Sequence, residues 1–413
     1  MIDLSKRPPW EVADVLRSHS SEYLALHNVS PEQALVLRRL MACRTAALGG
    51  HRDSCSGCGF ARISYNSCRD RHCPKCQAGK RAQWLDQRLA RLLPVPYFHV
   101  VFTLPDTLNP LILHNARQLY GLLFEAASAT LLTLGADPKR LGAQIGVTAI
   151  LHTWGQNLLF HPHLHCVVTG GGLSRDGQRW IPGRSRYFLP VKVLGQLFRG
   201  KFLAALKDLY CSGKLSLTGN IFPLQNGKTF QKLLDVCYRR PWIVYAKRPF
   251  GSVEQVFRYL GRYTHRVAIS NSRITELAEG QVTFTWKDYA DEQRRKNMTL
   301  KAEEFIRRFL MHVLPKGFVR IRHYGLLASI NVKSKLARCR DLLRIPSPSK
   351  PVLSLNWADQ ILAWFGFHPL RCPHCSQELK RMPLTPSEKT QVGTSCCPVP
   401  QYQNRLNRGF NSS

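Results

Sequence analysis

Hydrophobic and polar positions change period repeatedly along this chain. Tyr97-Phe98-His99-Val100-Val101-Phe102-Thr103 is rich in aromatic and β-branched residues and reads as a strand. Ile145 to Thr153 and His163 to Thr169 read the same way, with Gly170-Gly171-Gly172 expected to end the latter. Arg175-Asp176-Gly177-Gln178 has hairpin-turn chemistry leading into Arg179-Trp180-Ile181. Between these strands, apolar residues recur at helical spacing near 110 to 135 and over Lys192 to Tyr210. Trp242 to Ala246 predicts a short strand, Ser252 to Tyr263 a helix capped by Ser252, Val267-Ala268-Ile269 and Val282 to Trp286 strands, and Ala302 to Leu314 a helix. Upstream, residues 11 to 48 carry helical patterns, with Ser30-Pro31 as the start signal for a helix over Glu32 to Leu48. Gln83 to Leu93 is helical and is stopped by Pro94-Val95-Pro96. Regular β-α-β alternation is absent, so the expected fold class is α+β, with a central, mostly antiparallel sheet flanked by helices.

Residues 51 to 80 break this pattern. They are rich in Cys, Gly, His and Arg and hold too few large apolar residues for a core, so this segment needs a metal to fold. Cys55-Ser56-Gly57-Cys58 and Cys73-Pro74-Lys75-Cys76 form two Cys-x-x-Cys pairs with fourteen residues between them, the spacing of a tetrahedral structural Zn²⁺ site. His51, Cys68 and His72 could substitute for one ligand or hold a second ion. A further pair, Cys372-Pro373-His374-Cys375, leaves its remaining ligands open. Residues 383 to 413 are polar and Pro-rich and are expected to be disordered.

Charge narrows the partner. The 413 residues carry 59 Lys+Arg against 26 Asp+Glu, a net +33 that calls for a polyanion, and phosphate backbones are its usual target. No run of 18 apolar residues without a charge occurs; the nearest, Leu119 to Ala136, contains Glu125 and reads as a buried or amphipathic helix. The N-terminus has no apolar signal stretch, which places the expectation in the cytoplasm, with no membrane partner.

Two constellations carry chemistry. His163 and His165 lie two apart on a predicted strand and so share a face, as a pair able to grip one metal ion. Tyr259 and Tyr263 lie four apart on a predicted helix and present two phenols side by side. Arg258, Arg262, His265 and Arg266 surround them and could hold phosphates. A phenol with a pKa of about 10 is a poor nucleophile at neutral pH, so such chemistry needs the metal as well as the tyrosines.

With these residues in view, the chain resembles a known family. His163-Leu164-His165 looks like the His-hydrophobic-His signature of HUH endonucleases, and Tyr259 and Tyr263 match the paired tyrosines of the rolling-circle insertion-sequence transposases in that superfamily. The flanks agree: His152-Thr153-Trp154-Gly155, Phe160-His161-Pro162 before the signature, Tyr259 through Ser270, Trp286-Lys287-Asp288-Tyr289, and His312 through Arg322. The resemblance implies an N-terminal zinc-binding, DNA-binding module over 1–93, a catalytic domain over 94–335 and a C-terminal tail over 336–413. It implies a DNA transposase that cleaves and rejoins single-stranded mobile-element ends through 5′-phosphotyrosine intermediates, with Mg²⁺ or Mn²⁺ at the catalytic site and Zn²⁺ in the N-terminal module. Related enzymes supply a Gln, Glu or His as third ligand to the catalytic ion, so the resemblance makes Gln255, one turn before Tyr259, the candidate, with Glu254 and His161 as alternatives. A replication-initiator or relaxase-like nickase, a metal-dependent nuclease that uses water, and a non-catalytic zinc-bearing DNA-binding protein are the competing readings. The absence of a Gly-x-x-x-x-Gly-Lys-Ser/Thr loop counts against a fused replicative helicase.

Overall fold

The structure is a computed structural model and describes residues 8–89, 91–183, 189–247, 255, 268–289, 291–346 and 355–385. Its chain forms two compact units. One gathers residues 1–86, 265–313 and 350–413; the other holds 87–264 and 314–349. Segments far apart in the chain join the N-terminal region in the first unit.

In the first unit, α1 (Val12–Leu26) and α2 (Pro31–Ala42) pack together, and α1 also packs on a helix from much later, α8 (Ala302–Leu310). Ser30 caps α2 as expected: its side chain accepts from the Gln33 N–H while the Gln33 side chain returns a bond to the Ser30 N–H. The helix stops at Ala42, well short of the expected Leu48. The α8 segment buries Ala302, Phe305, Ile306, Phe309 and Leu310, one face at helical spacing, and ends before the expected Leu314. The buried backbone N–H of Val12 donates to the Asn271 side chain, tying the start of α1 to the later segment. There, β8 (Ile274–Ala278), β9 (Gln281–Asp288) and β10 (Arg294–Lys301) form an antiparallel sheet. Ala268 and Ile269, expected on a strand, instead lie buried in a bend.

The same unit contains a second small sheet, built from β1 (Gly50–Ser54), β2 (Ala61–Tyr65) and β12 (Lys380–Pro383), with β1 in the centre. Asp53 on β1 is fully buried. It accepts from Arg62 Nε at 2.9 Å and from Arg381 Nε at 2.7 Å. Burial alone would raise its pKa, but the Arg381 and Arg62 bonds outweigh that and hold the carboxyl below its ordinary value. We expect Asp53→Ala to lower stability by about 3 kcal/mol, since both guanidinium groups lose their shared partner; a urea midpoint unchanged from wild type would contradict this role.

α3 (Gln77–Leu89) begins earlier than the expected Gln83. The second unit is built on a six-stranded antiparallel sheet. Its main path runs β11 (Ile321–Gly325), β4 (Gln144–Trp154), β5 (Phe160–Leu173), β3 (Tyr97–Thr103), β7 (Val244–Lys247), and β6 (Trp180–Pro182) pairs with β5. The strand over 97–103 and the hairpin into β6 fall where the sequence places them. The three glycines do not end β5, which runs to Leu173. A Cβ on Gly172 would stand 2.3 Å from the Gln144 carbonyl oxygen, so these residues let neighbouring backbone approach while the strand continues.

Helices α4 (Asn109–His114), α5 (Ala116–Ala136), α6 (Val191–Cys211) and α7 (Gly227–Arg239), with the short α9 (Lys335–Leu342), complete this unit. Phe102 meets Phe198 of α6 at 4.9 Å between ring centroids. Among the described residues, α5 is the one helix long and apolar enough to cross a membrane, and 67% of its apolar window is buried inside the protein, as befits a core helix. The sheet therefore has one apolar face against helices, and the alternate residues of β3, β4 and β5 carry a different load.

Candidate functional site: an imidazole cluster and two cysteine clusters

Strand register explains how the histidines meet. On β4 and β5, His152 pairs directly with His163 and Ile150 with His165; on β3, Val101 faces His165. Directly paired residues project from the same face, so His152, His163 and His165 share one side of the two central strands. His99 on β3 lies on that face too.

Ligand-capable nitrogens of His152, His163 and His165 all lie within 4.8 Å of one another. The His163 and His165 Nε2 atoms are 3.1 Å apart. Two nitrogens on neighbouring positions of one ion, each at about 2.1 Å, stand about 3.0–3.4 Å apart, so the pair fits a shared divalent ion. His163 Nδ1 donates to the His161 carbonyl oxygen at 2.6 Å, which leaves its Nε2 as the lone-pair atom. Burial pushes the His163 pKa down to about 4, so the ring is neutral at physiological pH and available as a ligand. His165 Nδ1 stands 2.9 Å from His99 Nε2, and His99 is buried. If His165 donates to His99, its own Nε2 lone pair joins that of His163.

His152, which opens the segment His152-Thr153-Trp154-Gly155, has no spacing in the sequence that marks it as a partner of His163 and His165. Only the cross-strand register brings it to His163. His161 is exposed and lies outside the cluster. Gln255 is helical and exposed. Glu254, Arg258, Tyr259, Arg262, Tyr263, His265 and Arg266 lie outside the described residues.

The cysteines divide differently from the single expected site. Cys73 and Cys76 join Cys43 and Cys68; Cys55 and Cys58 join Cys372 and Cys375. In the first group, Sγ–Sγ distances are 3.3 Å for Cys43–Cys76, 3.6 Å for Cys43–Cys73 and 3.7 Å for Cys68–Cys76. In the second they are 3.4 Å for Cys55–Cys375 and 3.5 Å for Cys58–Cys372. A ZnS₄ tetrahedron with bonds of about 2.3 Å has edges of about 3.8 Å, so both groups have the donor type and the size for Zn²⁺. Crowding also perturbs the thiols. Cys76 is held well below the ordinary thiol value by its neighbours, Cys43 foremost, while burial alone would raise it. Cys68, considered above as a substitute ligand, sits in the first group. His72 instead faces Asp70 at 2.9 Å, and His51 lies 3.9 Å from Asp53. Cys43, just past the end of α2, carried no spacing signal.

Comparison with known proteins shows the family to which the chain belongs. A family model described as "Transposase zinc-binding domain" matches residues 15–104, and one described as "Putative transposase" matches residues 146–335. The chain is 50% identical over 370 residues to the "Putative transposase y4qJ" of Sinorhizobium fredii, covering 89% of this chain and 93% of that one. It is 29% identical over 370 residues to the "Transposase for insertion sequence element IS801" of Pseudomonas savastanoi pv. phaseolicola, covering 88% of this chain and 85% of that one. No solved structure matches. An α+β chain with imidazoles gathered on a central antiparallel sheet, thiols clustered for zinc and this degree of likeness belongs to the two-tyrosine transposase family of rolling-circle insertion sequences, and DNA is its partner.

Proposed function

We propose that this transposase cleaves and rejoins single-stranded DNA at mobile-element ends by metal-assisted transesterification onto Tyr259 and Tyr263. The observation that carries the reading is the cluster of His152, His163 and His165 on adjoining central strands, with ligand atoms within 4.8 Å of one another. A divalent ion held by these nitrogens, and by Gln255 where it reaches, would polarise the scissile phosphate and offset the charge growing on its oxygens. Mg²⁺ or Mn²⁺ is the proposed ion, and a donor set rich in imidazole favours Mn²⁺ over Mg²⁺.

The remaining chemistry belongs to the chain. One tyrosine oxygen bonds to phosphorus and gives up its proton; the P–O3′ bond breaks, and its electron pair and a proton finish as a 3′-hydroxyl. The product is a 5′-phosphotyrosine link, whose energy is conserved for resealing when a 3′-hydroxyl attacks in reverse. Arg258, Arg262, His265 and Arg266 supply charge for the flanking phosphates. Two tyrosines one helical turn apart allow one strand end to be held while another is cut.

The test is incubation with labelled single-stranded DNA from the flanks of its own gene, followed by mass mapping of DNA-bound peptide. An adduct on Tyr259 or Tyr263 is expected; cleavage with no adduct would mean water is the nucleophile, and the proposal fails. His99 gives a second check. Its buried contact with His165 orients a ligand, so His99→Ala should weaken Mn²⁺ activation about 10- to 100-fold in the ion concentration required, with saturating ion restoring part of the rate. An unchanged ion dependence would remove His99 from the site.

A further inference from the structure

We infer that Cys55, Cys58, Cys372 and Cys375 bind a second structural zinc ion, which clasps the C-terminal segment 355–385 onto the N-terminal module. Neither family match reaches Cys372 and Cys375: one covers residues 15–104 and the other 146–335. The inference is independent of the strand-transfer chemistry.

The two Cys-x-x-Cys turns have the same backbone form. The Gly59 N–H donates to the Cys55 carbonyl at 3.1 Å, and the Cys55 N–H donates to the Phe60 carbonyl at 2.8 Å. At the other end of the chain, the Ser376 N–H donates to the Cys372 carbonyl at 2.9 Å, and the Cys372 N–H to the Gln377 carbonyl at 2.7 Å. Gly59 and Ser376 occupy the same place in their turns and both have positive φ, +72° and +62°. A serine in that region is strained, which is tolerated where the surrounding structure holds it. Each turn thus aims two sulfurs at a common point, and two such turns face each other, the form of a four-cysteine zinc site. At 3.4 and 3.5 Å the cross-turn sulfurs are far beyond the S–S bond length of about 2.05 Å, so these are thiols and not a disulfide.

The surroundings seat the clasp. Phe60 packs against buried Cys55, Cys372 and Leu379, and its ring lies 5.0 Å from that of His374. β12 pairs with β1 from His51↔Pro383 to Ser54↔Lys380. Arg62 donates to the Pro369 carbonyl at 2.8 Å, and Arg381 reaches Asp53. This apolar cluster is small, with three buried members, and two of those are cysteines. Without an ion, little apolar burial would hold the segment in place.

The test is zinc content of purified full-length chain, measured by mass spectrometry. Cys372→Ser/Cys375→Ser and Cys55→Ser/Cys58→Ser should each contain one zinc ion per chain fewer than wild type, and the fourfold variant should lose that same one ion. If Cys372→Ser/Cys375→Ser keeps the wild-type content, or the fourfold variant loses one ion more than either double variant does, the shared site is wrong. Because misfolding could mimic the loss, the wild-type chain supplies an independent reading: exchanged into cobalt(II), it should show thiolate-to-cobalt absorption for eight sulfurs per chain. Absorption for four sulfurs would overturn the inference.

Discussion

Replacing His163 by Ala, alone or together with His165, should lower strand cleavage at least about a thousandfold while single-stranded DNA binding stays within about threefold of wild type. Polarisation of a phosphoryl oxygen by a divalent ion contributes several kcal/mol, and each 1.4 kcal/mol or so is a factor of ten in rate. Binding is carried elsewhere, by a chain with a net charge of +33, and is dominated by phosphate contacts. The single His163 variant is the cleaner of the two, because its ring is only partly buried, whereas His165 is buried against His99. His152→Ala should fall in the same class as His163→Ala, since His152 contributes a nitrogen to the same cluster. The decisive comparison is cleavage rate against salt-dependent DNA affinity and thermal unfolding midpoint. If binding and the midpoint collapse with cleavage, the imidazoles hold the sheet together and do not serve an ion.

The difference between His152 and His163 shows where sequence reasoning stops. His163 and His165 are two apart, and the period of a strand alone places them on one face. His152 joins them only through antiparallel register, and register between β4 and β5 is interrupted by bulges that no local pattern announces. The cysteines repeat the lesson more sharply. Fourteen residues between two Cys-x-x-Cys pairs satisfy the rule for one site, yet each pair closes with other sulfurs, one set 314 to 320 residues away. Local pattern carries further where it depends only on near neighbours: the strand over Tyr97–Thr103 and the start of a helix at Ser30-Pro31 are both present. The grouping of α8 and β8 to β10 with the N-terminal helices depends on long-range packing of faces such as that of Phe305 and Phe309, and had no local signature.

Removing zinc should unfold residues 43 to 76 while the six-stranded sheet stays folded. The reason lies in what those residues bury. From Cys43 to Cys76 the buried hydrophobic residues are Cys43, Cys55, Tyr65 and Cys73, three of them thiols, beside buried Asp53 and Asp70. One aromatic ring cannot offset the conformational entropy of ordering more than thirty residues, whereas the free energy of binding structural Zn²⁺ is folding free energy for the segment that supplies its ligands. The other unit has its own core of Phe98, Phe102, Phe124, Phe198 and Phe202, all nearly inaccessible to water. Helices α1 and α2 should persist as well, because α1 packs on α8 and Gln33 bonds to the Leu310 carbonyl at 3.0 Å. Chelation followed by limited proteolysis should therefore cut first between Cys43 and Cys76, and Cys43→Ser/Cys76→Ser should do the same without chelator. Cys43 and Cys76 stand 3.3 Å apart within one tetrahedral cluster, so the double variant leaves too few sulfurs to close it. Should this stretch resist protease after zinc is shown to be gone, its order must come from some source other than the metal, and the assignment of both cysteine clusters as the organising element of this module would have to be abandoned.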